Sequence, residues 1–272
     1  MKSSFDSERL QALAEKHKDD YKNATPFPHI AIDDFMDPEI LTEALQAFST
    51  PENFQFYKYD NPLEKKLAFD QVSKLPQPIA KILSDLNSPA FLNFLEILTG
   101  IDGLIPDPYY RGGGIHQIEK GGKLDVHIDF NWHQKLRLDR RLNLLIYLNK
   151  DWEESYGGHF EIWKGHRENS KHILEKCINE FLPIFNRMAL FSTSERSYHG
   201  HSKPLTCPEG WTRKSIAVYY YTNGRPEDEK VDAHSTTFIK RPDEEEDEKI
   251  AQLRELRNKG RLSTNIKSNQ TS

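Results

Sequence analysis

From about residue 108 the chain becomes a succession of short apolar runs cut off by glycine, proline or charge, and this constrains its fold more than any other feature. LNLLIYLN (142–149), GGHFEIW (157–163), RMALFST (187–193) and KSIAVYYYT (214–222) are β-branched or aromatic and of strand length. Helical patterns are instead gathered in the first hundred residues. SSFDSERLQALAEKH has Ser or Asp available as a cap and apolar positions at Leu10, Leu13 and Ala14. DPEILTEALQAF carries Pro38 in its first turn and a stripe of Ile40, Leu41, Leu45 and Phe48, and SPAFLNFLEILTG stops at Gly100. Between the first two, PHIAIDDF alternates like a strand.

Strands gathered after helices predict an α+β chain with a mainly β core, a sandwich or barrel whose amino-terminal helices pack against one sheet. No Gly- or Ser-rich linker divides it. The expected organisation is one structural domain: a helical support region over 1–107 with a strand near 28–35, a β core over 108–226, and an extension over 227–272 ending in a flexible tail. RENSKHILEKCINEFLP reads as a helical or irregular insertion between two strands. RPDEEEDEKIAQLRELRNKG, acidic first and basic later, reads as a solvated helix with its dipole complemented. HQKLRLDRRLN (133–143) reads as a solvated basic connection.

Composition excludes several function classes. With 36% hydrophobic and 29% charged residues and a mean hydropathy of -0.75, the 272-residue chain is polar, and no segment approaches the ~20 apolar residues of a membrane span. A net charge of -5 has the wrong sign for generic phosphate binding, so no nucleic-acid partner is expected. Cys177 and Cys207 have neither a disulfide framework nor CxxC spacing. With no signal-peptide pattern at the amino terminus, the expectation is a cytoplasmic protein.

Chemistry enters with KLDVHIDFNW (123–132). Residues i and i+2 on a strand share a face, so His127 and Asp129 aim an imidazole and a carboxylate at one point while Val126 and Ile128 pack behind. One more histidine would complete a two-His-one-carboxylate facial triad, a ligand set of borderline hardness suited to ferrous iron. SERSYHGHSKP offers His199 and His201, and spacing alone does not choose between them. In TRKSIAVYYY, Arg213, Ser215, Ala217 and Tyr219 share a face. If that face is interior, Arg213 needs an anion, because an unpaired buried charge is costly; a carboxylate ligand or a structural acidic partner would each answer.

The order HxD, RLNLLIYLNKDW, GGHFEIW, NRMALFSTSERSYHGHSKP and TRKSIAVYYY resembles the prolyl 4-hydroxylase-like branch of the 2-oxoglutarate and Fe(II)-dependent dioxygenases, over roughly residues 109 to 225. The resemblance implies a double-stranded β-helix, a distorted, cupin-like jelly roll. It implies iron on His127, Asp129 and His199, with His201 left over. It also implies 2-oxoglutarate on Arg213, Tyr147 and Ser215, O2 as cosubstrate, and ascorbate as a possible reductant. The reaction implied is hydroxylation of a C–H bond with release of succinate and CO2, with no side chain beyond the metal ligands acting catalytically. A prolyl-type peptidyl substrate follows from the branch. A free amino acid or other metabolite, and a non-catalytic jelly-roll binding module, are the alternatives. Trp132, Asn143, Tyr219 and Gln117 are the candidate substrate residues, Gln117 standing where the oxygen-sensing members carry a tyrosine. The insertion 164–186 is longer than in compact members, which raises the question of a lid. Oligomeric state is not legible.

Overall fold

A computed structural model describes residues 4–48, 55–169, 171–245 and 247–259. Local chemistry sets the helices. In α1 (Ser7–Asn23) the Asp6 carboxylate accepts from the Arg9 amide, and in α4 (Pro89–Thr99) Ser88 accepts from the Phe91 amide before Pro89, with Gly100 closing the helix at φ 70°. α2 (Pro38–Phe48) and α3 (Gln77–Leu86) complete the amino-terminal set, and α5 (Glu248–Asn258) begins at Asp247, which caps the Ile250 amide.

The strands are β1 (His29–Ile32), β2 (Tyr57–Asn61), β3 (Glu64–Phe69), β4 (Ile105–Pro106), β5 (Gly114–Glu119), β6 (Lys123–Ile128), β7 (Trp132–His133), β8 (Leu138–Tyr147), β9 (Phe160–Glu168), β10 (Lys171–Phe181), β11 (Met188–Ser192), β12 (Tyr198–His201), β13 (Thr212–Thr222) and β14 (Thr237–Phe238). They pair antiparallel along the path β1-β11-β8-β13-β5-β3-β6-β12-β9-β10, with β14 beside β6 and β2 beside β3. β3 holds both β5 and β6, so the sheet curls into a nearly closed, jelly-roll-like barrel.

Alternation along β13 sorts its two faces. Ile216, Val218 and Tyr220 join Leu144 and Ile146 of β8 in the main core, against Leu10 and Ala14 of α1, Leu41 of α2, Ile79 and Leu83 of α3, and Phe91 and Phe94 of α4. The other face, Arg213, Ser215, Ala217 and Tyr219, is turned to the barrel interior. The helices thus back one wall of the barrel and hold its inner face still. Truncating a core ring such as Phe94 to Ala costs about 3–5 kcal/mol.

Three expectations about local structure are corrected. Residues 164–186 are no helical insertion: β9 and β10 form a hairpin with Asn169 at φ 47°, because Leu174 packs with Trp163 and Tyr198 and Phe181 stacks on Phe160, and pairing overrides the helix-like spacing. The 133–143 connection is solvated only at its turn, where Gln134, Lys135 and Arg137 are exposed, since Arg140 and Arg141 are buried on β8. α5 is solvated on one side only: Glu248, Lys249, Gln252 and Glu255 are exposed, while Arg254 and Arg257 are buried, paired with Glu244 at 2.5 Å and Glu64 at 2.6 Å. The flexible tail expected after this helix lies outside the described residues. The β2–β3 hairpin and α3 carried no recognised sequence signal.

Candidate metal centre

β6 and β12 lie side by side with His127 opposite His199. Asp129 follows directly on β6, and ligand atoms of His127, Asp129 and His199 all lie within 4.8 Å of one another. The His127 Nε2 is 3.5 Å from Asp129 Oδ1, and the His199 Nε2 is 3.6 Å from Oδ2. Each imidazole is oriented from behind: Nδ1 of His127 lies 2.8 Å from the Asp125 carbonyl, and Nδ1 of His199 lies 2.8 Å from the Ser197 carbonyl. With Nδ1 donating to a carbonyl, Nε2 keeps its lone pair for a metal.

Electrostatics leave Asp129 and His199 in the forms a metal would need. Burial alone would raise Asp129, yet Arg140, His199 and His127 outweigh it and hold the carboxyl well below its usual range. Burial, with His127 alongside, pushes His199 down to about 3. A carboxylate and a neutral imidazole are what a divalent cation requires. This donor set, two nitrogens and one oxygen on a rigid barrel wall, fits ferrous iron.

A register shift on β12 separates the two histidines of SYHGHS: His199 faces His127, whereas His201 sits opposite Leu124. His201 is buried with neither ring nitrogen hydrogen-bonded among the described residues. Burial, then Arg213 and Lys66, holds it neutral.

Arg213 lies deeper in the interior. Its Nε donates to the Gly158 carbonyl at 2.7 Å and its Nη2 to the Tyr147 hydroxyl at 3.3 Å, with the guanidinium 4.9 Å from the Tyr147 ring centre. Ser215 stands opposite Tyr147 on one side and His116 on the other. Gly158 has φ 74°, and a Cβ there would come 2.9 Å from the Arg213 side chain, so only glycine allows this approach. Arg213 is 5% exposed, and among the described residues no carboxylate lies within ion-pair distance of it. No ion pair to a structural acidic partner is formed there, Glu161 acting on Arg213 only at longer range, and a buried guanidinium so placed suits a carboxylate ligand.

Above the cluster opens a cavity of about 760 Å³, lined by His127, Asp129, Phe130, Trp132, Arg140 and Tyr219 among others. Trp132 and Tyr219 thus reach it. Asn143 does not: its Nδ2 donates to Asp129 Oδ2 at 3.0 Å instead. Gln117 does not either, because pairing opposite Leu67 and Lys214 places it on the face of β5 shared with Ile115, away from His116 and the interior. None of the described residues among 164–186 lines this cavity. Its outer walls come from β2 and β3 (Tyr57, Tyr59, Lys66), Asp70 and Arg111, and from residues 233–236 and 257–259. Sequence reasoning missed these residues and Arg140; His116, inward-facing beside Gln117, was one position from being found.

Residues 113–221 match the model of the 2OG-Fe(II) oxygenase superfamily. A prolyl 3,4-dihydroxylase of Ostreococcus tauri is 24% identical over 221 residues, 75% of this chain and 39% of the relative, so the chain spans about two fifths of that protein's length. Among solved structures, a Trichoplax adhaerens prolyl hydroxylase in complex with a hypoxia inducible factor oxygen degradation domain peptide is similar with a TM-score of 0.54 at 18% identity, over 79% of this chain and 91% of that one. A Phytophthora capsici prolyl 4-hydroxylase has a TM-score of 0.51 at 19% identity, over 81% and 68%. These likenesses concern the fold. Among the described residues, no helix is long and apolar enough to cross a membrane.

Proposed function

From the premise that residues 113–221 form a 2OG-Fe(II) oxygenase domain, we propose that the chain is a dioxygenase that hydroxylates a peptidyl side chain, prolyl in type, with 2-oxoglutarate as cosubstrate. The observation that carries the reading is the pairing, inside one barrel, of the His127–Asp129–His199 cluster with a buried Arg213 that has no carboxylate of its own. A binding module or a structural zinc site has no use for that arginine. The prolyl assignment follows the names of the relatives, and the peptidyl one is supported by an open cavity with aromatic and basic walls rather than an enclosed pocket.

In this reading His127, Asp129 and His199 would hold the iron. When bound, iron with 2-oxoglutarate and O2 supplies the oxidising chemistry, with succinate and CO2 as products. The chain's own residues do the positioning. Arg213, with Tyr147 and Ser215 beside it, receives the carboxylate of 2-oxoglutarate remote from the metal, as a planar fork matched to two oxygens. Backbone carbonyls of Asp125 and Ser197 fix both imidazoles. Phe130, Trp132 and Tyr219 exclude water around the target carbon.

Succinate release from 2-oxoglutarate with ferrous iron under air tests the reading directly. Wild type should turn over and Asp129→Ala should not. Absence of both turnover and iron-dependent 2-oxoglutarate binding in wild type would refute it. Stimulation by prolyl peptides rather than by free amino acids is the expected outcome; the reverse selects the metabolite alternative.

A further inference from the structure

Resting on the reading that His127, Asp129 and His199 hold a metal, we infer that Arg140 is a positioning residue that fixes Asp129 as a one-oxygen ligand. The arginine arrives there through a defect in strand pairing. Between Tyr220–Leu142 and Tyr221–Arg140 the β13–β8 register shifts, leaving Arg141 as the extra residue. Such a bulge turns the following side chain to the other face. Arg141 contacts Thr222 at 3.4 Å and Glu229 at 3.2 Å, while Arg140 is swung into the barrel and left 1% exposed.

Inside, Arg140 is confined by aromatic rings and by its backbone hydrogen bonds. Its guanidinium carbon lies 3.5 Å from the Tyr219 ring centre and 4.5 Å from that of Phe130. The Tyr219 hydroxyl is itself tied to the Gly112 carbonyl at 2.7 Å. The Arg140 amide donates to the Asn131 carbonyl at 2.9 Å, and its carbonyl accepts from Thr193 Oγ1 at 2.7 Å and from the Arg225 guanidinium. So confined, the guanidinium sets Nη2 at 2.9 Å from Asp129 Oδ2 as an ion pair without hydrogen-bond geometry, and the same oxygen accepts from Asn143 Nδ2 at 3.0 Å. A carboxylate oxygen has room for two such partners. Oδ2, though also 3.6 Å from the His199 Nε2, already carries the arginine charge and the Asn143 amide, which leaves Oδ1, 3.5 Å from the His127 Nε2, as the less encumbered oxygen for a metal.

Two consequences follow. The carboxylate cannot rotate to chelate with both oxygens, which keeps coordination positions open for cosubstrate and O2. The guanidinium charge beside Oδ2 also holds Asp129 in place before metal arrives, so the site is preorganised. Phe130 and Tyr219 line the cavity as well, which makes the rings that clamp Arg140 part of the substrate wall.

The test uses Co(II) binding to the metal-free chain, followed by its visible absorption, with wild type, Arg140→Met and Arg140→Lys. Arg140→Met should weaken Co(II) by about 10–100-fold, the range for partners that orient metal ligands. Its absorption should also lose intensity as Asp129 turns to chelate and the coordination number rises. Arg140→Lys, which restores charge at Oδ2, should recover part of the affinity. Equal losses in both variants would mean a packing role and overturn the inference, as would no loss in either. If Arg140→Met does not fold, Asn143→Leu removes the other contact to Oδ2 and should alter the Co(II) spectrum in the same direction; an unchanged spectrum overturns the inference. Wild type failing to bind Co(II) would overturn the metal reading itself, whereas wild-type binding with indifferent variants overturns only the role of Arg140.

Discussion

The floor of the cavity and its outer walls are built in different ways. The floor comprises His127 and Asp129, which line the cavity, with His199, Tyr147 and Arg213 in the barrel interior beyond its lining; all five come from the span that matches the oxygenase model, on or beside strands whose antiparallel register sets their position. Much of the wall comes from outside that span: the β2–β3 hairpin on one side and residues 233–259 on the other, joined by the buried Arg257–Glu64 pair at 2.6 Å. Arg257 also lies over Phe238, which packs on the His127 ring. The floor has what oxygen chemistry needs, and the walls have what a particular substrate would touch. Mutations should separate the two.

The largest effect is expected at the ligands. His199→Ala should abolish iron binding, while His201→Ala should retain most of it; calorimetric or spectroscopic titration with Fe(II) under anaerobic conditions reads this, and the reverse result would exchange their roles. Next is the anion end of the floor, where Arg213→Ala should raise the apparent 2-oxoglutarate constant tenfold or more, about 1.4 kcal/mol at minimum. An unchanged constant would remove Arg213 from the site.

A pH effect of similar size is expected at His199 in the floor. His199 titrates near 6.5 in the unfolded chain and is pushed down to about 3 by burial and His127. Below pH 6.5 the unfolded chain binds a proton that the folded one refuses. The stability contributed by neutral His199 is thus present above pH 6.5 and lost as pH falls toward 3, by about 1.4 kcal/mol per pH unit. Urea unfolding of metal-free wild type against His199→Phe should show a shallower pH slope in the variant. The smallest effect on the chemistry is expected at the wall. Arg257→Gln breaks a largely buried pair, a change that costs about 3–5 kcal/mol when one partner is stranded. It should lower the melting temperature and weaken peptide stimulation while leaving peptide-free succinate release within about twofold. A collapse of that background release would mean that wall and floor are one unit.

Much of this was legible locally. The caps of α1 and α4, the period-two alternation of β13 and the aligned His127 and Asp129 all depend on neighbours within a few residues, and period and capping chemistry suffice to read them. What the chain could not display by itself were contacts set by pairing between distant segments. SYHGHS places two histidines on one strand face, and only the β6–β12 register, with its shift, makes His199 rather than His201 the neighbour of Asp129. RRLN looks like solvated charge, and only the bulge against β13 turns Arg140 inward to that same carboxylate. Glu64 and Arg257 are 193 residues apart, and nothing near either announces the other. Sequence by itself determined α1, α2, α4 and most strands around the site, with the chemistry each could carry, but not β10, the β2–β3 hairpin or α3. The tertiary structure alone decided which of those groups meet, because a shift of one residue in register exchanges the face on which a side chain stands.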